Sequence, residues 1–194
     1  MKNVITISRQ MGSGGRMIAE IVAQKLGWRL VGKELITEAA RKSGADESKI
    51  ERVFERRLSL QDRITFRERS EKYIDSIRHV IAGVVEEGNV VILGRGAHVI
   101  MQGDPRIFRV HLVADLEVRI ARIAEQYNLK GKAGRQEARR MVINSDYART
   151  AYHNYLFEAE WNDPLLQDLV INTTALKIEQ AADTVLDAYR IMGK

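Results

Sequence analysis

Residues 4–19 read VITISRQMGSGGRMIA, and this stretch decides the fold. Its first part, residues 4–7, is short, apolar and rich in β-branched side chains, which predicts a buried strand. Apolar residues then recur at helical spacing from Ile18 to Leu26, and Gly27 follows as a helix C-cap. The sequence therefore predicts a strand, a glycine-rich loop and a helix in direct succession.

The loop in this position is typical of a phosphate-binding site. Main-chain N–H groups of a glycine-rich loop converge on one point, and the N-terminus of the following helix adds partial positive charge. A plain turn is the alternative interpretation, but its place between the first strand and a helix favours binding of a polyphosphate. The residues that we predict to bind phosphate are Arg9, Gly12, Ser13, Gly14, Gly15, Arg16 and Met17.

The loop departs from the Walker A pattern G-x-x-x-x-G-K-[ST] at its most important positions. When Gly14 is placed on the second glycine of the pattern, Gly15 falls on the lysine and Arg16 on the hydroxyl residue. A guanidinium group binds phosphate well, so either Arg16 or Arg9 could supply the missing charge.

The hydroxyl group that holds Mg²⁺ is also displaced. One extra residue in the loop would put Met17 at that position, and the nearby hydroxyl groups are those of Ser8 and Ser13. The loop thus leaves two hypotheses open, a phosphate-transferring enzyme and a protein that binds phosphate without transferring it.

The rest of the chain alternates strands with helices. Apolar runs predict further strands at residues 28–31, 90–93, 107–113 and 169–172, and amphipathic spacing predicts helices at 33–43, 73–85, 116–127 and 178–189, with uncertain helices within 46–72. This alternation predicts a parallel sheet covered by helices on both faces, with the ligand outside the carboxyl ends of the strands.

Composition limits the function classes. The 194 residues include no cysteine, which excludes disulfides and thiolate metal sites, and the four histidines show no metal-binding spacing. Residues 130–149 hold six basic and two acidic side chains, which indicates either a solvated helix face or a segment that meets an anion. Nucleic-acid binding is disfavoured because no matching motif is present. We expect a cytoplasmic protein with no membrane partner, and a homodimer is compatible with the sequence.

Six blocks of the chain resemble the cytidylate kinase-like family of P-loop nucleoside monophosphate kinases. They lie in the family's order at residues 7–16, 33–36, 93–97, 146–152, 169–174 and 178–181. The resemblance implies a three-layer α/β/α P-loop NTPase fold, in which residues 1–194 form a single domain with a five-stranded parallel sheet. It also implies a helical nucleoside monophosphate (NMP)-binding insertion at about 33–88 and a lid at about 128–152.

The resemblance further implies ATP and Mg²⁺ as cofactors and a small nucleotide such as CMP or dCMP as the acceptor. Matched position by position, the acceptor would be bound by Lys33, Arg95, Asp146 and Arg149. The transferring group would be neutralised by Arg16 together with one or more of Arg139, Arg140 and Arg149.

The chain departs from true cytidylate kinases in three places. The aspartate expected before Lys33 is Gly32, and the acidic positions beside Gly94-Arg95 hold Leu93 and Gly96. The position of the family's lid arginine holds Val142 or Ile143, and Arg139 and Arg140, one further turn back, are the candidates to replace it. The alternative hypothesis is therefore a non-catalytic nucleotide-binding protein with a degenerate Walker A loop.

Overall fold

The computed structural model describes residues 2–43 and 60–193. Its centre is a five-stranded sheet in the order β2-β3-β1-β4-β5, and every neighbouring pair is parallel. The strands are β1 Val4–Arg9, β2 Arg29–Val31, β3 Val90–Leu93, β4 Ile107–Val113 and β5 Leu169–Asn172. The predicted parallel sheet is confirmed, and β1 extends two residues further than predicted, to Arg9.

Seven α-helices in the described residues connect or flank the strands. They are α1 Gly15–Leu26, α2 Glu34–Ser43, α3 Leu60–Glu87, α4 Ala97–Ile100, α5 Leu116–Gln126, α6 Gly131–Phe157 and α7 Ile178–Met192. Of the helices predicted within 46–72, residues 46–59 lie outside the described residues. None of the described helices is long and apolar enough to cross a membrane.

Gly27 ends α1 as predicted. Its φ of 66° is left-handed, and its amide donates to the carbonyls of Ala23 and Gln24. Glycine suits this position because it has no Cβ to oppose a positive φ.

Helices cover both faces of the sheet. The α1/α7 face packs Ile5, Ile7 and Phe108 against α1 and α7. The α3/α6 face packs Val4 and Ile107 against α3 and the last turns of α6. Alternation along each strand assigns each side chain to one of these faces.

Helix α6 has two differently packed halves. Its first half places Ala138 and Val142 against Ile120 and Ile123 of α5, away from the sheet. Its second half buries Tyr152 and Leu156 in the core of the α3/α6 face. Residues 131–149 of the basic segment thus belong to one continuous helix, whose last turns reach the core beside the sheet.

Candidate active site

The glycine-rich loop lies at the carboxyl end of β1, the central strand. Gly12 has a φ of 82° and Gly14 a φ of 81°, so both adopt the left-handed conformation that glycine allows. A Cβ on Gly12 would lie 2.7 Å from the carbonyl oxygen of Arg119, so α5 packs directly against the loop. Glycine at these positions is therefore required by conformation and by close packing.

Donors from other elements bind the carbonyls of the loop. Arg119 and Arg122 of α5 approach the carbonyl oxygens of Met11 and Gly12 at 3.5 and 3.4 Å, and the hydroxyl of Thr173 donates to the carbonyl of Ser13 at 2.9 Å. In a trans peptide the next N–H points away from the carbonyl. These contacts therefore turn the amides that follow Met11 and Ser13 towards the opposite side.

Most amides of the loop have no acceptor among the described residues. The amide of Ser13 bonds the carbonyl of Gln10 at 3.3 Å, and the Ser13 hydroxyl donates to the same oxygen at 2.8 Å. Among the residues that the structure describes, the amides of Gly12, Gly14 and residues 15–17 donate to none. Unpaired N–H groups at the start of a helix form an anion-binding site.

Three arginines gather beside these amides from three different elements. Arg9 ends β1, Arg95 follows β3, and Arg149 lies on α6. Burial, and then the charges of Arg149, Arg95 and Arg16, lower the pKa of Arg9 to about 9. Burial is also the largest cause that lowers the pKa of Arg149 to about 10, against the opposing effect of Asp146. The site is therefore strongly electropositive.

Arg149 is held in place by two neighbours. Its guanidinium donates to the Ser145 hydroxyl at 2.6 Å and lies 5.9 Å from the ring centre of Trp161. The charges of Arg149 and Arg95 both lower the pKa of Arg9. The predicted site residue Arg149 thus lies near the arginine that ends β1 and the one that follows β3.

Asp146 forms an ion pair inside the molecule. One oxygen accepts from Arg119 at 2.7 Å, and Arg119 also donates to the carbonyl of Ala114 at 3.0 Å. Because Arg119 contacts the loop carbonyl of Met11, this pair ties α6 to the glycine loop through α5. Asp146 thus has a structural link to the loop that its sequence position did not suggest.

The remaining predicted arginines point to the surface. The side chain of Arg16 is 83% exposed and pairs with Glu20 at 3.0 Å. Arg139 pairs with Glu117 at 2.9 Å, and Arg140 pairs with Glu137. The structure does not bring these three guanidinium groups into contact with the loop.

Lys33 lies directly before α2, on the carboxyl side of β2, and is exposed. It shares the carboxyl edge of the sheet with Arg95, because β2 and β3 are parallel neighbours.

Three buried histidines lie behind the arginines, on the α3/α6 face. The rings of His98 and His153 are 5.4 Å apart, and those of His111 and Trp161 are 5.1 Å apart. Burial lowers the pKa of His98 to about 3 and that of His111 and His153 to about 4. All three side chains are buried.

The side chains of the described residues do not form a binding set for Mg²⁺. Ser8 and Ser13 are buried, and the Ser13 hydroxyl is already bonded to Gln10. Strand β1 ends in Ser8-Arg9 and β3 leads into Gly94-Arg95, so neither strand end supplies a carboxylate. Within residues 2–43 and 60–193, no cluster of three metal-ligating side chains is present.

Sequence reasoning missed the residues that hold the loop from outside. Arg119, Arg122 and Thr173 act on it from more than a hundred residues away. The only available signal was a pair of arginines at i, i+3 in the helix that follows β4.

Comparisons with known sequences agree with this geometry. Residues 4–175 match the sequence model of the cytidylate kinase-like family. A cytidylate kinase from Archaeoglobus fulgidus is 27% identical over 189 residues, which cover 96% of this chain and 94% of that protein. A cytidylate kinase from Pyrobaculum islandicum is 30% identical over 185 residues, which cover 95% of this chain and 91% of that protein.

Solved structures share the fold. An uncharacterized protein from Eubacterium ventriosum superposes with a TM-score of 0.71 at 22% identity, covering 96% of this chain and 97% of that one. Shikimate kinase from Bacteroides thetaiotaomicron superposes with a TM-score of 0.54 at 17% identity, covering 98% of both chains. The fold is thus the three-layer α/β/α fold of P-loop kinases.

Proposed function

The chain belongs to the cytidylate kinase-like family, and on this basis we propose that it transfers the γ-phosphoryl group of ATP to a nucleoside monophosphate. The family and the fold support a nucleotide kinase. CMP and dCMP are the first acceptors to test, because the two relatives described above are named cytidylate kinase.

One observation carries the proposal: the loop amides that lack an acceptor lie at the same sheet edge as arginines from β1, the β3 loop and α6. Amides suit the donor phosphates, since they supply fixed N–H groups without a carboxylate to repel the anion. Phosphoryl transfer needs positioning and neutralisation of charge more than covalent chemistry from the protein. This site offers both.

The acceptor phosphate would bind Arg95 and Lys33, and Arg149 would contact the group in transfer. We propose that residues 33–88 form the acceptor-binding insertion and residues 128–152 the lid. Asp146 would then position the lid helix through Arg119 rather than touch the acceptor directly.

The arginines on the outer part of the lid remain available to a ligand. Arg139 and Arg140 are bound by exposed carboxylates, and exposed ion pairs contribute only about 0–1 kcal/mol each. A polyanion therefore competes for Arg139 and Arg140 at little cost. Magnesium would enter as part of the Mg·ATP substrate, bound by phosphate oxygens and water, because the described residues that end β1 and follow β3 beside the loop supply no carboxylate for it.

A non-catalytic nucleotide-binding protein is the second candidate. It is favoured by Gly15 at the position of the Walker lysine and by the absence of a protein ligand set for Mg²⁺ in the described residues.

An assay of ADP release separates the two candidates. Mg·ATP is offered with CMP, dCMP, UMP or AMP, and ATP binding is measured in parallel by calorimetry. ADP release that depends on CMP or dCMP supports the kinase, whereas ATP binding without it supports the binding protein. Absence of ATP binding contradicts both.

The variant Arg95→Ala tests the acceptor site in the same assay. We expect the KM of the acceptor to rise at least about tenfold, because a charge-assisted contact to its phosphate is lost, while the Kd of ATP stays within about twofold. Arg190→Ala is the matched control, since Arg190 is exposed on α7 and paired with Asp187. An unchanged acceptor KM in Arg95→Ala would remove Arg95 from the acceptor site.

A further inference from the structure

In a Walker loop a lysine supplies the positive charge that contacts the phosphates, and this chain has no cationic side chain at the equivalent position. Gly15 stands there, and its neighbour Arg16 points away to Glu20 with a side chain that is 83% exposed. Either the loop works without this cation, or another residue delivers it.

The space above Gly15 is occupied by Arg9. A Cβ on Gly15 would lie 2.6 Å from both Cβ and Cγ of Arg9, closer than side-chain atoms approach. A side chain at position 15 and the side chain of Arg9 are therefore mutually exclusive. Arg9 starts from the end of β1, before the loop, and crosses the first turn of α1.

The same arginine reaches the acceptor side of the site. A Cβ on Gly94 would collide with Nη1 of Arg9, so the guanidinium rests against the backbone between β3 and Arg95. Glycines on two different loops thus leave room for one side chain. Its guanidinium lies between the donor loop and the loop that carries Arg95.

The charges around Arg9 are unbalanced. In the described part of the chain it has no ion pair, and its neighbours Arg149, Arg95 and Arg16 all lower its pKa. A partly buried guanidinium among like charges is unfavourable unless an anion binds there.

We propose that Arg9 is a catalytic residue that takes the place of the Walker lysine, contacting the phosphates of the donor from the end of β1. This inference rests on the proposed kinase function. In the reaction an oxygen of the acceptor phosphate forms a bond to the γ-phosphorus, and the bond from that phosphorus to the β–γ bridging oxygen breaks, releasing ADP. Arg9 transfers no proton; it neutralises charge on the oxygens between the two loops.

The test moves the charge from position 9 back to position 15. Calorimetry measures binding of Mg·ATP and of inorganic tripolyphosphate to the wild type, Arg9→Ala, Arg9→Gly, Gly15→Lys and the double variant Arg9→Gly/Gly15→Lys. Arg9→Ala should weaken tripolyphosphate binding at least about tenfold, as loss of a charge-assisted contact requires. Gly15→Lys alone should also bind poorly, because its side chain collides with Arg9.

The double variant Arg9→Gly/Gly15→Lys should recover binding to within about threefold of the wild type, since Arg9→Gly removes both the Cβ and the Cγ that a Cβ at position 15 would meet. Gly15 has no positive φ, so the backbone accepts a lysine. Arg190→Ala again controls for loss of one positive charge. A purely structural role for Arg9 would not produce rescue by a lysine at another position.

Thermal unfolding shows whether each variant is folded. Without ligand, Arg9→Ala should unfold at the same or a higher temperature, because like-charge repulsion is relieved, and tripolyphosphate should no longer raise its Tm. If Arg9→Ala does not fold, Arg9→Gln, which keeps most of the side-chain length without the charge, takes its place as the single variant.

The outcomes separate the two proposals. If the wild type binds neither ATP nor tripolyphosphate, the proposed function and this inference both fail. If the wild type binds and Arg9→Ala binds equally well, only the inference fails. A larger loss in Arg16→Ala than in Arg9→Ala would assign the role of the lysine to Arg16 and overturn the inference as well.

Discussion

The two faces of the sheet use the same strands but differ in chemistry. On the α1/α7 face, strands β1 and β4 present Ile5, Ile7, Phe108, Val110 and Leu112, all buried and apolar. On the α3/α6 face the same strands are apolar only at their start. Towards their carboxyl ends they present buried polar side chains, namely Thr6, Ser8, Arg109 and His111.

The apolar face therefore contributes mainly to the stability of the fold, and the polar part of the other face lies at the candidate site. The apolar face holds α1, and with it the end of the glycine loop, in a fixed position. The polar part of the other face lies under Arg149, the histidines and Trp161, where α6 returns to the core. Burial of polar groups there lowers stability unless they are bonded, so we expect this region to respond to pH and ligand while the apolar face does not.

The largest effect should come from the apolar face. Phe108→Ala should lower the free energy of unfolding by about 3–5 kcal/mol, because a fully buried ring that packs near Tyr189 leaves a cavity. Urea unfolding followed by circular dichroism measures the change, with Phe108→Leu as the milder control. The ATP affinity of the folded variant should be unchanged, and a weakened affinity would break the proposed separation between the faces.

A pH-dependent effect, smaller for each histidine and each pH unit, should come from the polar face. Because the pKa values of His98, His111 and His153 are lowered in the folded state, the unfolded state binds more protons below pH of about 6.5. The stability is fully present above that pH. It should fall by roughly 1.4 kcal/mol per pH unit for each histidine as the pH drops from about 6.5 towards 4.

Denaturant unfolding at several pH values tests this slope. His153→Gln should lower the slope of the free energy of unfolding against pH by the contribution of one histidine, roughly 1.4 kcal/mol per pH unit. His79→Gln, on the exposed side of α3, is the matched control and should leave the slope unchanged. Equal slopes in the wild type and His153→Gln would show that the buried ring cluster does not govern acid sensitivity.

The smallest effect should come from Thr6. Its hydroxyl is buried, and none of the described residues bonds it. Thr6→Val has nearly the same shape and should leave the stability unchanged or raise it by up to about 1 kcal/mol. Thermal unfolding measures this, and Ile7→Val on the other face, expected to lose about 1 kcal/mol, is the comparison. A clear loss in Thr6→Val would mean that its hydroxyl has a partner that matters.

Local features were predictable because their causes are local. The five strands, the cap at Gly27 and the glycines of the loop follow from spacing and from backbone freedom within a few residues. The predicted bounds of β3, β4 and β5 agree with the structure. The site was less predictable. Arg9 and Arg16 looked equivalent in sequence, yet one crosses Gly15 and the other pairs with Glu20.

The sequence by itself determined that a strand, a glycine-rich loop and a helix follow one another, and that the loop offers amides to an anion. Only the tertiary structure decided which side those amides face, because Arg119, Arg122 and Thr173 bind the loop carbonyls from distant parts of the chain. It also decided which arginine lies over Gly15, the position of the Walker lysine. Arg9 does so because Gly15 and Gly94, on two different loops, leave room for its side chain. Such contacts across the fold leave no periodic signal in the chain.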